Sequence, residues 1–295
     1  MNNPCKLCPR ECMADRNRKY GFCNSPYGIT VAGSYLHKWE EPCISGENGS
    51  GTIFFSGCTL KCVFCQNSKI SRGDFGKTIS PDRLAEIMLN LQEKGAENIN
   101  LVTPAHFTDG VILALKTVKK NLHIPVVFNC GGYEKVETLK KYEGYVNIYM
   151  PDFKYFDNAL AKKYSSAPDY KERATSAIKE MLRQVGQPIF SDGLLKKGVL
   201  IRHLVLPGSY KDSLCVLKHL KNEFGTEDIL ISLMSQFTPN DDCKKIPALN
   251  RKITTYEYQK VTDFAEKLGF DGYTQEKSSA SDEYIPPFNL EGIQE

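Results

Sequence analysis

Short runs of apolar, often β-branched residues alternate with longer amphipathic stretches along most of the chain. The candidate strands are residues 52–56, 98–103, 125–129, 146–150, 199–206 and 229–234. The candidate helices are residues 80–94, 109–120, 134–142, 169–185, 213–224 and 254–268. Regular alternation of strand and helix is typical of a parallel sheet with helical crossovers. The pattern therefore predicts an α/β fold of six strand–helix units that form a curved, open partial barrel.

The helix predicted over residues 80–94 carries the clearest signals for its two ends. Ser80 is a favourable N-cap, Pro81 suits the first helical position, and Gly95 follows the last turn. The other helices are recognised by the spacing of their apolar positions.

Polar segments follow the first four candidate strands. A cysteine-rich loop follows the first strand, and residues 103–106, 129–133 and 152–154 follow the next three. Parallel barrels place their chemistry at the carboxyl ends of the strands. We therefore expect these segments to surround a single site.

The patterns divide the chain into three parts. Residues 1–45 form a cysteine-rich segment that is expected to bind metal, and residues 46–275 hold the partial barrel. Residues 276–295 form a tail with a serine pair and a proline pair, and the sequence leaves open whether this tail wraps the barrel.

Composition and charge narrow the class of protein. The chain has 295 residues, 41% of them hydrophobic, which is enough for one substantial core. Lys and Arg total 38 against 35 Asp and Glu, a formal net charge of +3. These basic residues are spread along the chain, so we expect no nucleic-acid partner. No segment reaches the ~20 apolar residues of a membrane helix, and no export signal is visible, which predicts a cytoplasmic protein without a membrane partner.

The eleven cysteines fall into two tight groups and a scattered remainder. The first group is Cys5, Cys8, Cys12 and Cys23, the second is Cys58, Cys62 and Cys65, and the scattered ones are Cys43, Cys130, Cys215 and Cys243. Disulfides are not expected in a longer chain without an export signal, so ligation of a metal or a cluster is the better interpretation of the two groups. The scattered cysteines are interpreted as small core residues or surface thiols.

The spacing within the second group predicts a cluster with one open coordination position. Cys58, Cys62 and Cys65 lie within eight residues, so their thiolates must converge on one centre. A structural zinc ion needs a fourth protein ligand, and the neighbouring Gln66 and Asn67 are poor zinc ligands. A 4Fe-4S cluster held by three thiolates instead keeps one iron free. A zinc knuckle is the alternative.

This C-x3-C-x2-C order, with Phe64 directly before the last cysteine, resembles the signature of the radical S-adenosylmethionine (radical SAM) superfamily. The resemblance implies that the free iron binds the amino and carboxylate groups of SAM and that Phe64 contacts its adenine. It is closest to the branch that includes the pyruvate formate-lyase activating enzyme, whose minimal fold is a partial (β/α)6 barrel of the TIM-like kind.

Further residues resemble that branch. Asp152 and Lys154 look like its Asp-x-Lys pair and point to the same side of a strand. The resemblance implies that Asp152 is a cation ligand and that Lys154 is a catalytic residue near SAM or the substrate; an internal ion pair is the alternative. Arg202 resembles a strand-borne arginine that contacts SAM, so its neighbour His203 should point outward under a helix. Gln236 aligns where a histidine lies near the ribose of SAM.

Two departures argue against a pyruvate formate-lyase activator. The relatives carry Gly-Gly-Glu after the second strand to hold the SAM amine, whereas residues 103–106 read Thr-Pro-Ala-His here. Thr103 becomes a candidate acceptor for the amine, and His106 a candidate catalytic residue, with a structural histidine as the alternative. Asn129 stands where an acidic cation ligand is usual, and it is retained as a cofactor-binding candidate. The chain resembles a subgroup of activating-enzyme-like proteins.

The N-terminal cysteines can close a second site by themselves. Cys5, Cys8, Cys12 and Cys23 supply four thiolates, which saturate a tetrahedral zinc ion and would fold a segment too short for its own core. An auxiliary 4Fe-4S cluster is the other interpretation, and the spacing leaves the choice open.

The resemblance implies a reaction class. A reduced 4Fe-4S cluster passes an electron to SAM, and the resulting 5′-deoxyadenosyl radical removes a hydrogen atom from a protein or peptide, for example a glycine of a glycyl radical enzyme. Reduced flavodoxin or ferredoxin is the implied electron donor. Two alternatives remain: radical modification of a peptide or small metabolite, and a non-catalytic iron-sulfur or zinc protein. The Asp152–Lys154 pair, Phe64 and Arg202 argue against the last, because an electron carrier needs no SAM pocket.

Overall fold

The computed structural model describes residues 4–275 and 288–294, and its centre is one ten-stranded sheet. The strands are β1 (Ile29–His37), β2 (Ser50–Phe55), β3 (Lys77–Ile79), β4 (Ile99–Val102), β5 (Val126–Cys130), β6 (Ile148–Pro151), β7 (Ile189–Ser191), β8 (Leu194–Leu204), β9 (Leu230–Met234) and β10 (Gly272–Thr274). The helices are α1 (Pro42–Ser45), α2 (Ser68–Ser71), α3 (Pro81–Glu93), α4 (Thr108–Val118), α5 (Val136–Leu139), α6 (Asn158–Ser165), α7 (Tyr170–Val185), α8 (Tyr210–Phe224) and α9 (Thr255–Leu268).

The sheet is mostly parallel. Its order is β10-β9-β8-β6-β5-β4-β2-β1-β3, with parallel pairing from β2 through to β10. Strands β1 and β3 extend one end in antiparallel pairing, and β7 forms an antiparallel hairpin with β8. The predicted α/β class is confirmed, and the mostly parallel sheet is consistent with a partial barrel.

The helices form where the sequence combines a cap with an apolar face. Ser80 accepts a hydrogen bond from the backbone N–H of Arg83 at 3.1 Å, as expected for the N-cap of α3. The same helix buries Leu84 and Met88, one turn apart, toward the sheet. Each such side chain contributes about 1.5–3 kcal/mol relative to an exposed position.

Several elements were not predicted. The antiparallel strand β1 lies inside the range 1–45 that was assigned to the cysteine-rich segment, and it pairs with β2 from Val31↔Phe55 to His37↔Ser50. The short strands β3, β7 and β10 have three residues each, too few for a periodic pattern. The predicted helix over residues 134–142 is only one turn, α5, followed by a 3-10 turn.

The end of the chain packs beside β1. The backbone N–H of Ser34 donates to the carbonyl of Glu291 at 2.8 Å, and Phe288 stacks edge-on against Phe54 with 5.4 Å between ring centroids. Most of the tail predicted over residues 276–295 lies outside the described residues. None of the helices in the described ranges has both the length and the hydrophobicity needed to cross a membrane.

Candidate active site

The carboxyl ends of the parallel strands surround a cavity of about 220 Å³. The sequence-predicted residues that line it are Cys58, Cys62, Phe64, Cys65, Thr103, Asn129, Asp152, Lys154, Arg202 and Gln236. Residues from six strands and the loops that follow them therefore meet at one place. The buried Cys130, which was interpreted as a core or surface thiol, lines the same cavity.

The loop between β2 and α2 carries the three clustered cysteines and begins at a glycine for a steric reason. Gly57 has φ +85°, and a Cβ there would lie 1.9 Å from the Ser25 hydroxyl oxygen. The Leu60 N–H donates to the Cys58 sulfur at 3.4 Å, and the Ser165 hydroxyl donates to the Cys62 sulfur at 3.0 Å. Hydrogen bonds to sulfur of this kind are among the features that tune iron-sulfur clusters.

The buried thiols of Cys58 and Cys62 favour a positively charged centre. Burial raises the pKa of Cys58 well above its usual value, and the adjacent thiols of Cys62 and Cys65 raise it further. Burial also raises the pKa of Cys62, although the nearby ammonium of Lys154 opposes the shift. Such thiols ionise only when a metal centre compensates the buried charge.

The donor set of these thiols suits an iron-sulfur cluster. Within residues 4–275 and 288–294, no three His, Cys, Asp or Glu side chains are gathered around the position of one metal ion, either here or at the N-terminal cysteines. The protein ligands of a 4Fe-4S cluster are spread further apart, because each thiolate binds a different iron. The donor set, the hydrogen bonds to sulfur and the adjoining cavity fit a 4Fe-4S cluster with one open iron.

A buried network of charges faces the cysteines across the cavity. Arg202 on β8 donates from Nη1 to Glu40 Oε2 at 3.1 Å, from Nε to Asp152 Oδ1 at 3.2 Å and from Nη2 to Asn129 Oδ1 at 2.6 Å. Lys154 Nζ donates to Asp152 Oδ2 at 2.5 Å. The charged side chains are at most 16% exposed. The ion pair that the sequence left as an alternative reading of Asp152 and Lys154 is present in this network.

Neighbouring charges set the protonation of the network. Burial alone would raise the pKa of Asp152, but the ammonium of Lys154 and the guanidinium of Arg202 outweigh it and lower that pKa. Burial would lower the pKa of Lys154, and the carboxylate of Asp152 raises it instead. Both residues are therefore charged at neutral pH.

Glu40 is a member of this network that the sequence did not reveal. It follows β1, and it also accepts a hydrogen bond from Asn100 Nδ2 at 3.0 Å. The sole local signal is an acidic pair, Glu40 and Glu41, between a strand and a proline. Its partner Arg202 lies 162 positions further along the chain.

Phe64 and Gln236 close two sides of the cavity. The Phe64 ring is 6% exposed and lies 6.5 Å from the Tyr155 ring and 6.2 Å from the Phe237 ring, between centroids. The carbonyl of Gln236 accepts from Gln66 Nε2 at 3.0 Å, which joins the loop after β9 to the cysteine loop. An apolar ring and an amide thus flank the cysteines.

Thr103 holds a strained backbone conformation at the end of β4. Its φ is +61°, where a β-branched residue is rarely found, and its N–H donates to the Asn129 carbonyl at 2.7 Å. A left-handed conformation costs an ordinary residue about 1–2 kcal/mol. The relatives that this sequence resembles carry glycine at this position, and glycine adopts a left-handed conformation without that cost.

Thr103→Gly is expected to raise the free energy of unfolding, by about 1 kcal/mol after the greater flexibility of glycine in the unfolded chain is subtracted. Urea unfolding of protein prepared under anaerobic conditions measures this difference in the free energy of unfolding. The matched control is Thr117→Gly in α4, where glycine should lower the free energy of unfolding by about 0.3–0.5 kcal/mol. Equal destabilisation by both substitutions would contradict strain at Thr103.

The structure places His106 outside the cavity. The side chain is 1% exposed, its Nε2 lies 2.8 Å from the Ser56 carbonyl oxygen, and Nδ1 has no hydrogen-bond partner among the described residues. Arg16 donates to the carbonyl of His106, and burial lowers the pKa of this histidine to about 3. His106 thus lies under the N-terminal segment and away from the cavity, which favours the structural alternative, and its catalytic role stays a prediction.

His203 lies behind the site, under α8, as expected from its outward direction on β8. Its ring nitrogens lie 2.6 Å from the Phe153 carbonyl oxygen and 2.8 Å from the Ser213 hydroxyl oxygen. Phe153 stands between Asp152 and Lys154, so this histidine supports the segment that carries them. Burial lowers the pKa of His203 to about 4.

This shift predicts a loss of stability in acid. The unfolded chain gains a proton on His203 below pH 6.5, whereas the folded chain resists it down to about pH 4, so stability is present above pH 6.5 and falls through that window. Between pH 7 and pH 5 the free energy of unfolding of the wild type should fall by about 2 kcal/mol more than that of His203→Gln. Urea unfolding at both pH values tests this. Exposed His123→Gln is the control and should behave as wild type.

The N-terminal cysteines lie in a segment that packs against the cysteine loop. Burial raises the pKa of Cys8 to about 12, with the thiols of Cys23 and Cys5 close enough to add to the shift. Cys12 is exposed, and its sulfur would lie 2.5 Å from a Cβ at Gly21. The four cysteines thus occupy one small region.

Arg10 connects the N-terminal segment to the candidate site through hydrogen bonds. Its guanidinium donates from Nε to the Thr59 carbonyl at 3.0 Å and from Nη2 to the Ser165 carbonyl at 3.3 Å, and it stacks on Phe22 at 3.8 Å. Thr59 follows Cys58, and Ser165 is the residue that hydrogen-bonds to the Cys62 sulfur. The segment therefore contacts both the cysteine loop and one of its supports.

A second, larger cleft of about 630 Å³ adjoins the cavity. The two share lining residues, among them Gln66, Asn129, Arg202 and Gln236. The cleft extends toward β1 and β10, away from the cysteines.

The comparisons with known proteins agree with this arrangement. A family model described as the radical SAM superfamily matches residues 52–215. A protein of Methanocaldococcus jannaschii, described as uncharacterized, is 30% identical over 281 residues, which cover 90% of this chain and 75% of that protein.

Solved structures with the same fold include a radical SAM methyltransferase from Sphaerobacter thermophilus, at 11% identity and a TM-score of 0.53, covering 77% of this chain and 66% of that one. Streptococcus suis SuiB bound to S-adenosylmethionine is 13% identical with a TM-score of 0.52, covering 74% of this chain and 48% of SuiB. The chain thus spans about half of SuiB. At these identities the similarity shows the fold alone.

Proposed function

The chain belongs to the radical SAM superfamily, and we propose that it abstracts a hydrogen atom from a protein or peptide substrate after cleaving SAM at a cluster held by Cys58, Cys62 and Cys65. The observation that carries the proposal is the single cavity in which these cysteines face the Arg202 and Lys154 cations. A non-catalytic cluster or zinc protein has no need of such a cavity. Activation of a glycyl radical enzyme is the specific case that the sequence resemblance suggests.

The side chains around the cavity suit the parts of SAM. When bound, the cluster supplies the electron that splits SAM into methionine and the 5′-deoxyadenosyl radical. Lys154 and Arg202 would compensate the SAM carboxylate, which needs cations in a buried site. Phe64 would pack on the adenine and Gln236 would hydrogen-bond to the ribose. Thr103 and the amide of Asn129 would accept from the amine in place of an acidic residue.

The chain's own residues keep these groups in place. Asp152 positions Lys154 through their ion pair, and Arg202 is fixed by three side chains before any ligand arrives. Such preorganisation limits the reorganisation that accompanies binding and reaction. Ser165 and the backbone of Leu60 donate to the ligand sulfurs and so stabilise their anionic form.

The N-terminal cysteines are proposed to hold either zinc or an auxiliary 4Fe-4S cluster. Four thiolates satisfy a structural zinc ion, and the segment before β1 contains no strand or helix of its own among its described residues. Its contact with the cysteine loop through Arg10 is equally suited to a cluster that relays electrons from reduced flavodoxin or ferredoxin.

A second candidate is radical modification of a small metabolite. The adjoining cleft of about 630 Å³ is within the range of small-molecule sites, which favours this candidate. It shares the same SAM chemistry and differs in the substrate alone.

The proposal is tested on anaerobically reconstituted protein. Iron, sulfide and zinc are assayed, reductant and SAM are added, and 5′-deoxyadenosine is quantified alongside the EPR signal of the reduced cluster. We expect 5′-deoxyadenosine and a change in the EPR signal on addition of SAM. A protein with a full cluster that gives neither product nor spectral change would overturn the proposal. The zinc and iron counts identify the N-terminal metal.

A further inference from the structure

The larger cleft lies between the two ends of the curved sheet. One wall comes from β1 and β2, with His37 and Phe54, and the opposite wall comes from β9 and β10, with Ser232 and Tyr273. Because it joins the candidate SAM cavity through shared residues, a molecule in this cleft can reach the reacting groups. The cleft is therefore the natural place for the substrate.

Glu41 is an unusual feature of this cleft. Its side chain lines the cleft although the residue is only 8% exposed, and its Oε2 atom has no hydrogen-bond partner among the described residues. The side chain of Ser232 hydrogen-bonds to this carboxyl group. The adjacent Glu40, by contrast, is held by Arg202 and Asn100. A buried carboxyl oxygen without a hydrogen-bond partner is costly, which points to a ligand that completes it.

The charged side chains near Glu41 indicate the charge of the ligand. Glu40 and Asp152 are matched by Arg202 and Lys154, which three ion pairs join in one network: Glu40 with Arg202, Arg202 with Asp152, and Asp152 with Lys154. No ion pair in the described part of the chain includes Glu41, and burial raises the pKa of its carboxyl group despite the attraction of Arg202. A cation supplied by a ligand would hold this group in its ionised form. The ligand that completes the site should therefore carry a positive charge.

The other ionisable groups facing the cleft do not supply that charge. Burial, followed by the repulsion of Arg202, lowers the pKa of His37, which is therefore neutral at pH 7. Lys38 lines the cleft but is exposed. A hard metal cation would need about six to eight oxygen ligands, whereas one free carboxylate oxygen suits an N–H donor.

SAM itself does not account for Glu41. In this superfamily the amine and carboxylate of SAM bind the open iron, so they must lie near the cysteines. Glu41 lines the larger cleft and is absent from the lining of the cysteine cavity. Its partner should thus belong to the second substrate.

We propose that the substrate carries a primary ammonium group that binds the Glu41 carboxylate in this cleft, which brings the neighbouring carbon atoms toward the SAM cavity. The inference rests on the proposed radical SAM function and narrows its substrate class. A lysine side chain of a peptide and a free aliphatic amine present the same group, and the test separates these two sources.

The experiment measures binding to reconstituted protein in the presence of SAM by isothermal titration calorimetry. The probes are the capped tripeptide acetyl-Gly-Lys-Gly-amide, its norleucine analogue, which has no charge, and 1,5-diaminopentane. The lysine tripeptide should bind at least tenfold more tightly than the norleucine tripeptide if the source is a peptide. Diaminopentane should bind, and the lysine tripeptide fail, if the source is a free amine.

Glu41→Gln tests the residue itself, with Glu47→Gln on the exposed part of the same connection as the matched control. Glu41→Gln should lower the affinity for the ammonium probe at least tenfold and leave the affinity for SAM unchanged. Glu47→Gln should change neither affinity. Glu41→Gln should also be no less stable to urea than wild type, because the buried Oε2 atom that it replaces has no hydrogen-bond partner among the described residues.

Three results would overturn the inference: no preference for either ammonium probe over norleucine, unchanged ammonium binding in Glu41→Gln, or weaker SAM binding in that variant. Production of 5′-deoxyadenosine with any of these results would reject the ammonium site and retain the radical SAM function. Ammonium binding without SAM cleavage or a SAM-dependent spectral change would support the site and reject the function.

Discussion

Cys62→Ala is expected to abolish both cluster binding and SAM cleavage while leaving the N-terminal metal in place. The Cys62 sulfur lines the cavity and accepts a hydrogen bond from Ser165, so its loss removes one of three thiolate ligands from a preformed site. The cluster's remaining two protein thiolates cannot hold three of its irons. The measurement is iron and sulfide content, EPR and 5′-deoxyadenosine formation after anaerobic reconstitution.

Cys215→Ala is the matched control for this prediction. Cys215 lies exposed on α8, so its removal should change neither iron content nor product. Retention of a full cluster in Cys62→Ala would remove Cys62 from the ligand set. Loss of the N-terminal metal along with the cluster would contradict two independent sites, and would show that the packing of Arg10 on the cysteine loop couples them.

Arg202→Ala is expected to weaken SAM binding by roughly 10- to 100-fold without removing the cluster. A hydrogen bond to a charged group contributes about 1.5–3 kcal/mol, which corresponds to that range. The substitution also leaves Glu40 and Asp152 buried without their shared cation. Removing one partner from such a network costs about 3–5 kcal/mol of stability. SAM affinity is measured by titration of the cluster EPR signal, and stability by urea unfolding.

Arg202→Lys separates these two effects. Lysine keeps the positive charge that Glu40 and Asp152 require, but it lacks the planar fork that reaches three acceptors at once. We expect this variant to be more stable than Arg202→Ala and to bind SAM with intermediate affinity. Wild-type SAM affinity in folded Arg202→Ala with a full cluster would show that the assignment of Arg202 to SAM is incorrect.

Much of the barrel was predictable because its signals are local. The six predicted strands correspond to β2, β4, β5, β6, β8 and β9, each an apolar run between helices with caps or spaced apolar positions. The β7–β8 hairpin was missed although Asp192 and Gly193, both with positive φ, form a recognisable turn. Helix α6 was missed because only three of its eight residues are buried, which leaves little periodicity to detect.

The grouping of the three clustered cysteines was also predictable from local sequence. Cys58, Cys62 and Cys65 lie within one short loop, so their spacing restricts the sulfurs to one neighbourhood whatever surrounds them. Asp152 and Lys154 share a side of the chain for the same reason. His106, in contrast, follows the correct strand but turns under the N-terminal segment, where Arg16 contacts its carbonyl. A position at the end of a strand does not determine which way the following loop turns.

The sequence by itself determined the α/β class, the order of the main strands and helices, and the grouping of the three cysteines that are proposed as ligands, because backbone periodicity, caps and close spacing act over a few residues. The tertiary structure alone decided the partners of Arg202, the burial of the Glu40 and Glu41 side chains in the cleft, and the contact of the N-terminal segment with the cysteine loop. These contacts join residues as far apart as Glu40 and Arg202, 162 positions along the chain. Charge pairing and burial depend on which distant segments come into contact, and local sequence patterns do not predict those contacts.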